Sequence, residues 1–430
     1  VTFVGWMKDM PAEAWEKGRS VEILRNNIFM DKQESFVAAM DSTGRFSVRV
    51  PLVNTSEIYI DIGRKGINTV VEPGETYFLL HDFSTGHVLF MGEDVRLQNE
   101  LQTHPPLYVD GYLRKGQGTV DEFRIQMEEK YRHAVEELSR RVEEHPNLSR
   151  RYRYYMESFA LTGLGRSMMQ ARFVVPDWQL PEDYVDFVRT KVWQRPSKPY
   201  TLCQNFGILM RDYIGHFSEA KDKARGNAVF NAFKRLRQQG EISMTEEEAN
   251  TVEAYQLAVR ELQEKLNAEP SDSLRQRMVV ELGKSELSQR FMSLVTRFED
   301  VLNEEILIDN IDFWKEDAES VGCDSILCQI HLARKLYGLI DNMRKPLPDR
   351  MMAKAEWGIR LEGGWDIVSR EQEKYVSIQN RDLSDVSSLR SAEDVKDVTG
   401  GEALLRKLTE PYRGKLVLLD IWGTWCGPCK

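Results

Sequence analysis

The spacing of hydrophobic and polar residues changes once along the chain, near Gly92. Before this point, short runs such as residues 45–50 and 57–62 alternate apolar with polar side chains. Alternation with a period of two is typical of strands that bury one face. Turn sequences such as Pro73-Gly74 separate the runs. The pattern predicts an antiparallel β-sandwich of about seven strands over residues 1–92.

A helical period replaces this alternation from Asp94 to about residue 382. Thr119 and Glu122 form a predicted capping box, and the apolar residues after it recur at steps of three and four on one helix face. These apolar residues are Val120, Phe123, Met127, Tyr131, Val135, Leu138 and Val142. Thr245 and Glu248 open a second helix of the same kind. We expect a large all-α middle domain over residues 94–382.

Length and charge narrow the possible function classes. The chain has 430 residues, a formal net charge of -10 and a sequence pI of about 5.5. The length predicts about two to three domains. The negative charge argues against binding to a phosphate backbone, so nucleic acid is not an expected partner. No run approaches the roughly 18 apolar residues of a transmembrane helix.

Five cysteines are too few for a disulfide scaffold in a chain of this length. Cys203, Cys323 and Cys328 lie in largely apolar, helical contexts and are predicted to be small core residues. Cys323 and Cys328 are five positions apart, which is a poor spacing for a disulfide on one helix. The other two cysteines, Cys426 and Cys429, belong to a motif.

This motif carries the strongest chemical signal in the sequence. Residues 416–421 are largely apolar and partly β-branched, which favours a strand buried on both faces. The segment Trp425-Cys426-Gly427-Pro428-Cys429 follows, with its proline placed where a helix could begin. Two cysteines three positions apart on a first helical turn can open and close a disulfide with little backbone movement. The motif therefore predicts a dithiol that shuttles two electrons.

The two thiols have different predicted roles. Cys426 would lie at the helix N-terminus, where unsatisfied backbone N–H groups and the helix dipole stabilise a thiolate and lower the pKa of this cysteine. Cys426 is therefore the expected nucleophile. Cys429 would attack the mixed disulfide and release the reduced substrate. The exchange uses no metal and no organic cofactor, and we expect this pair to be the only one that cycles with dithiol reductants.

The segment from Asp420 to Lys430 resembles the active-site strand, turn and helix start of thioredoxins. Residues 404–408 and 411–415 resemble the lead-in of the TlpA/ResA-like branch, the exported thiol-disulfide oxidoreductases of Gram-negative bacteria. Many members of this branch carry a long N-terminal extension. The short runs at residues 41–50 and 71–74 resemble the small β domain of unknown function that precedes many of them.

The resemblance implies roles for six residues. Cys426 and Cys429 would be catalytic, and Asp420 would lie buried beneath Cys429 and help to move its proton. Trp425 would shield the nucleophile, while Gly427 and Pro428 would tune the redox potential. The resemblance also implies a periplasmic or envelope-attached protein. The chain starts at Val1 without a methionine or a signal-like segment, which suggests an expressed portion or a mature form whose leader has been removed. Its partners would be protein thiols or disulfides and an upstream reductant.

The expected organisation has four parts. A β-sandwich-like domain over residues 1–92 and a helical domain over residues 94–382 precede a linker over residues 383–401. Residues 402–430 would begin a thioredoxin-like α/β domain, with a short helix at residues 402–408. A complete thioredoxin fold takes on the order of 100 residues. Residues 402–430 are therefore expected to form only its start, and a fragment ending at Lys430 is expected to be inactive.

Two other interpretations compete with the redox function. A Cys-x-x-Cys segment can be half of a zinc site, but tetrahedral zinc needs further ligands, and no second Cys or His pair follows in the sequence. The other interpretation is a non-enzymatic binding or scaffold protein of the cell envelope. Such a protein would recognise a partner through its β and helical domains.

Overall fold

The structure is a computed structural model that describes residues 1–17, 19–62, 66–176, 179–194, 203–225, 228–381 and 395–418. The chain divides into two compact units, Val1–Tyr375 and Val376–Lys430. All of the described strands belong to the first unit.

Eight strands are found among the described residues, and they form two sheets of four. Their bounds are β1 Thr2–Lys8, β2 Ser20–Asn27, β3 Lys32–Ala39, β4 Arg45–Arg49, β5 Ser56–Asp61, β6 Gly66–Val71, β7 Thr76–Asp82 and β8 His87–Met91. The sheet orders are β4-β1-β7-β8 and β3-β2-β5-β6. A short helix, α1 (Ala12–Lys17), lies between β1 and β2. The prediction of β structure over the first part of the chain is confirmed.

One strand pair differs from the antiparallel prediction. β1 and β7 run parallel, with Phe3 opposite Tyr77, whereas the other pairs of described strands are antiparallel. The chain travels from β1 to β7 through strands of the other sheet, so no tight hairpin forces the two to run in opposite directions. The sandwich is therefore mixed.

The side chains between the two sheets form one apolar core. Phe3 of β1 and Leu79 of β7 share this core with Ile23 of β2 and Ile60 of β5, and all four are fully buried. Burying a side chain of this size stabilises a fold by roughly 2 kcal/mol. The predicted alternation therefore marks the face of each strand that enters this core.

Helices make up most of the described chain after β8. Their bounds are α2 Arg96–Thr103, α3 Val120–Glu144, α4 Arg150–Gln170, α5 Glu182–Val188, α6 Gln204–Arg225, α7 Ala228–Gln239, α8 Glu246–Ala268, α9 Asp272–Lys284, α10 Glu286–Arg297, α11 Glu299–Ser320, α12 Ser325–Met343, α13 Asp349–Gly358, α14 Glu362–Gln379 and α15 Gly401–Thr409. The expectation of a large helical region is confirmed.

Both predicted capping boxes are present. Thr119 Oγ1 accepts the N–H of Glu122 at 3.2 Å, and the Glu122 carboxylate accepts the N–H of Thr119 at 2.8 Å. Thr245 and Glu248 repeat this arrangement at the start of α8. These reciprocal bonds satisfy N–H groups that have no partner within the helix.

One residue of the predicted apolar face of α3 lies on the wrong side. Val135 is exposed, and the neighbouring Ala134 is buried in its place. Ala134 comes seven residues, about two helical turns, after the buried Met127, so it lies on the same stripe of the helix. The sequence pattern assigned Val135 to the buried face because valine is strongly apolar, but the buried residue is its neighbour Ala134.

The turn between β2 and β3 joins the sandwich to the helices. Phe29 in this turn is buried in the main helical core, and the residues on both sides of it pack against the same core. A Cβ added to Gly364, near the start of α14, would lie 3.1 Å from Cε1 of Phe29. A Cβ added to Gly363 would lie 2.3 Å from Cγ1 of Val53 in the β4–β5 loop. Two glycines therefore let this helix approach the loops of the sandwich closely.

We expect Phe29→Ala to lower the free energy of unfolding by about 3 kcal/mol, because it leaves a cavity where the sandwich enters the helical core. Val37→Ala, at an exposed position on the adjoining β3, is the control and should change stability by less than about 1 kcal/mol. Urea denaturation followed by circular dichroism measures both. Equal effects of the two substitutions would contradict the role given to Phe29.

Candidate functional site

Every site residue predicted from the sequence lies outside the residues that the structure describes. This applies to Asp420, Trp425, Cys426, Gly427, Pro428 and Cys429. Most of the predicted linker, residues 383–394, also lies outside them. The arrangement of the two motif thiols therefore stays a prediction.

The described part of the second unit contains the predicted short helix. α15 covers Gly401–Thr409 and is followed by a 3-10 turn at Glu410–Tyr412. Leu416, Val417 and Leu418 are the described residues of the predicted strand, and they are exposed and belong to no sheet. A strand buried on both faces needs neighbouring strands and covering layers. The strand prediction is therefore not met in the part of it that is described.

The three cysteines of the first unit are buried and free, as the sequence predicts. Cys203 lies directly before α6 in the main helical core. Burial and the nearby carboxylate of Glu57 raise the pKa of the Cys203 thiol well above its ordinary value. This environment disfavours a thiolate, so Cys203 is suited to packing rather than to nucleophilic chemistry.

A polar site lies where the sandwich meets the helices. We call it the junction site, and its lining includes Asp31, Glu57, Gln204, Arg211 and Arg334. It encloses about 190 Å³ of space open to water-sized molecules. The β2–β3 turn and β5 contribute its two carboxylates, and α6 and α12 contribute its two guanidinium groups.

Asp31 is the central carboxylate of the junction site. It ends the β2–β3 turn in the left-handed region, with φ 55°, which Asp tolerates better than most residues. Its carboxylate contacts the guanidinium of Arg334 and lies 3.2 Å from Nη1 of Arg211. Nη1 of the buried Arg334 also donates to the carbonyl of Gly207 at 2.9 Å. Burial lowers the pKa of Arg334, and the Asp31 carboxylate opposes that change.

A second aspartate extends the charged network into the helices. Asp212 is fully buried, and its Oδ1 accepts from Nε of Arg211 at 3.1 Å. Nη2 of the buried Arg172 lies 3.8 Å from the same oxygen. Arg211 therefore lies between the two aspartates, and the positive and negative groups alternate from the turn to the end of α4.

Glu57 fills the other side of the junction site. Its carboxyl group accepts hydrogen bonds from the hydroxyl of Tyr155 at 3.0 Å and from the backbone N–H of Gln204 at 2.8 Å. Gln204 is the first residue of α6, so the carboxylate satisfies an N–H that has no partner within the helix. Burial raises the pKa of Glu57, while these two hydrogen bonds act in the opposite direction.

The sequence analysis did not identify the junction site. Glu57 occupies a polar position of an alternating strand, and such positions are expected to face water. In the structure, α4 and α6 cover that face of β5. The site also combines residues that are far apart in the sequence, so no local motif marks it.

Within the described ranges, no group of three or more His, Cys, Asp or Glu side chains is arranged to hold a metal ion. No helix in this part of the chain is both long and apolar enough to cross a lipid bilayer. Comparison with models of protein families, with curated proteins and with solved structures finds no match to the chain.

We expect Asp31→Asn to lower the free energy of unfolding by about 3 kcal/mol, because it leaves the buried charge of Arg334 without its carboxylate. Asp9→Asn is a matched control, since Asp9 has a similar φ of 52° but a side chain that is 57% exposed. The control should cost less than about 1 kcal/mol. Urea denaturation at neutral pH compares them. A loss for Asp31→Asn no larger than for Asp9→Asn would show that the bridge does not stabilise the fold.

Glu57→Gln should change how stability depends on pH. Because the folded-state pKa of Glu57 is raised, the folded protein binds this proton more tightly than the unfolded chain does. The contribution of protonated Glu57 to the free energy of unfolding is therefore complete below the unfolded-state pKa of about 4.3. It is lost as the pH rises through the folded-state pKa of Glu57. The free energy of unfolding of wild type minus that of Glu57→Gln should fall over this range, by at most about 1.4 kcal/mol per pH unit.

The neighbours of Glu57 should not obscure this effect. Burial raises the pKa values of Tyr108, Tyr155 and Cys203, so these groups stay protonated from acidic to neutral pH. Glu261→Gln, at an exposed position on α8, is the control. Denaturant titrations from about pH 4 to about pH 7 span the expected change. A difference that rises with pH would mean that the hydrogen bonds outweigh the burial.

Proposed function

We propose that the full-length protein is a thiol-disulfide oxidoreductase of exported proteins that works through Cys426 and Cys429. The observation that carries the proposal is the segment Trp425-Cys426-Gly427-Pro428-Cys429, which three residues separate from the largely apolar run at residues 416–421. Its spacing suits a disulfide that opens and closes at the start of a helix. The short helix α15 precedes this run, as expected for the start of a thioredoxin-like domain.

The proposed reaction transfers one electron pair. The Cys426 thiolate attacks one sulfur of a substrate disulfide, forms a mixed disulfide and releases the other substrate sulfur as a thiol. Cys429 then loses its proton to Asp420 and attacks Cys426. This step releases the second substrate thiol and leaves a Cys426–Cys429 disulfide. An upstream dithiol reduces that disulfide and restores the enzyme.

A location in the periplasm or at the cell envelope is part of the same proposal. It follows from the resemblance of residues 404–430 to the exported TlpA/ResA-like branch. Disulfide exchange with protein substrates also suits an oxidising compartment. The first unit would then be an extension that precedes the redox module.

A second candidate is a non-enzymatic binding or scaffold protein of the cell envelope. The observation that favours it is the junction site, where a cavity of about 190 Å³ is lined by charged groups from the sandwich and the helices. Ligand sites in proteins are concave, and a few placed polar groups fix the orientation of the ligand. In this candidate the Cys-x-x-Cys segment has no catalytic role.

Insulin reduction by the full-length gene product tests the proposal. With dithiothreitol as the reductant, the protein should accelerate insulin reduction, and Cys426→Ser should return the rate to that of the reductant alone. Cys429→Ser should instead accumulate a mixed disulfide with insulin, because the resolving thiol is missing. Cys203→Ala, which removes a buried thiol elsewhere, should keep the acceleration.

Two results would count against the oxidoreductase. A Cys426→Ser variant as fast as wild type would exclude the assigned nucleophile. A wild-type protein that never exceeds the background rate would favour the binding candidate.

A further inference from the structure

The loop between α11 and α12 fixes the position of Cys323. The N–H of Gly322 donates to the carbonyl of Glu319 at 3.0 Å, and the N–H of Cys323 donates to that of Ala318 at 3.1 Å. Gly322 has φ +83°, so this pair of bonds is the Schellman arrangement that ends many helices. Cys323 is therefore held directly after the end of α11.

The next helix begins one residue later and brings a second thiol to Cys323. Asp324 is the N-cap of α12, and its carboxylate accepts the N–H of Leu327 at 2.9 Å. Cys323 thus immediately precedes the N-cap, and Cys328 is the fourth residue of the helix. Side chains at these two positions pack together in the hydrophobic staple.

The two thiols lie close together at the start of α12. The S–H of Cys328 donates to the carbonyl oxygen of Cys323 at 3.6 Å, and the hydrophobic-staple positions bring the two side chains to the same place. The spacing of five is poor for two residues on one helix, but only Cys328 is on the helix. The sequence expectation treated Cys323 and Cys328 as residues of one helix, whereas in the structure both are free thiols and Cys323 lies before the helix.

A thin cover separates this pair from solvent. Cys323 is 9% exposed and Cys328 8%, while Cys203 in the deeper core is 2% exposed. Gly322 and Asp324, which flank Cys323, are exposed. Local opening of a loop costs less free energy than unfolding of the core around Cys203. A small reagent can therefore reach the pair without global unfolding.

The surroundings distinguish the two thiols. The neighbouring Cys323 thiol lowers the pKa of Cys328, with help from the ammonium of Lys315 and against the effects of burial, Glu319 and Asp324. The Cys328 thiol and burial raise the pKa of Cys323, and the nearby carboxylates add to that change. Cys328 also lies in the first turn of α12, where the helix dipole favours a thiolate, so Cys328 is the expected nucleophile and Cys323 the thiol that attacks second.

We propose that Cys323 and Cys328 are a second redox site, which closes an intramolecular disulfide by reaction with a low-molecular-weight disulfide. The proposal does not rest on the function assigned to Cys426 and Cys429. It departs from the expectation that those two residues are the only pair that cycles.

The reaction balances in two exchange steps. The Cys328 thiolate attacks the reagent disulfide, forms a mixed disulfide and releases one reagent thiolate. That thiolate takes up the proton lost by Cys323, whose sulfur then attacks Sγ of Cys328. The second reagent sulfur leaves and is protonated from solvent. Two protein thiols are oxidised, and one reagent disulfide is reduced to two thiols.

The test treats the full reduced chain with 2,2′-dithiodipyridine and follows its tryptic peptides by mass spectrometry. Residues 316–334 form one tryptic peptide that contains Cys323 and Cys328 and no other cysteine. We expect this peptide to lose two hydrogen atoms and to retain no pyridyl group. The loss should be at least about tenfold faster than modification of Cys203, because only local opening is needed.

Single substitutions separate the two steps. In Cys323→Ser, Cys328 should keep a thiopyridyl group, since the resolving thiol is absent. In Cys328→Ser, Cys323 should stay unmodified during the same period. Cys426 and Cys429 lie on a different peptide, residues 416–430, so their reaction does not interfere.

Two outcomes would overturn the proposal. One is a peptide of residues 316–334 that stays fully reduced, which would make the pair a packing contact only. The other is a pair that reacts no faster than Cys203, which would show that oxidation requires global unfolding. Far-UV circular dichroism of each variant checks that it is folded before the comparison is made.

Discussion

The contact of Asp31 with Arg334 and Arg211 fixes how the sandwich meets the helices. Arg334 is buried, and an uncompensated charge in that position is costly. Asp31 supplies the carboxylate from a turn whose other residues enter the helical core. Phe29 precedes it by two positions, so the apolar contact and the charged contact share one turn. A slip of one residue in this hairpin would misplace both.

This constraint explains why the covered face of one sheet is so polar. The carboxylate of Glu57 caps the start of α6, and the side chain of Gln98 donates to the carbonyl of Val70 at 2.7 Å. If these backbone and side-chain groups were buried without hydrogen-bond partners, each would cost the fold its desolvation free energy. The interface therefore uses hydrogen bonds whose geometry requires particular residues, and it lies within the compact unit Val1–Tyr375.

Local signals in the sequence predicted the elements, while the contacts between distant elements could not be read from it. The capping boxes at Thr119 and Thr245 and the strands around residues 45–50 and 57–62 depend on neighbours within a few positions, so their patterns were sufficient. The parallel pairing of β1 with β7 depends on where the chain travels between them. The burial of Glu57 depends on contacts with residues 98 and 147 positions away, and alternation alone predicts that this side chain faces solvent. The predicted redox residues lie outside the described ranges, so their arrangement is still known only from sequence.

The cysteine pairs show why spacing alone does not decide whether two thiols meet. On one helix, positions three and four apart are neighbours, and positions five apart are not. Cys323 escapes this rule because the Schellman turn at Gly322 and the N-cap at Asp324 place it before the helix, where it packs against the first turn. For Cys426 and Cys429 the proposed chemistry likewise depends on where a helix begins, since the dipole and the free N–H groups act within the first turn. In both proposed sites, the expected reactivity therefore depends on where a helix starts rather than on the number of positions between the sulfurs.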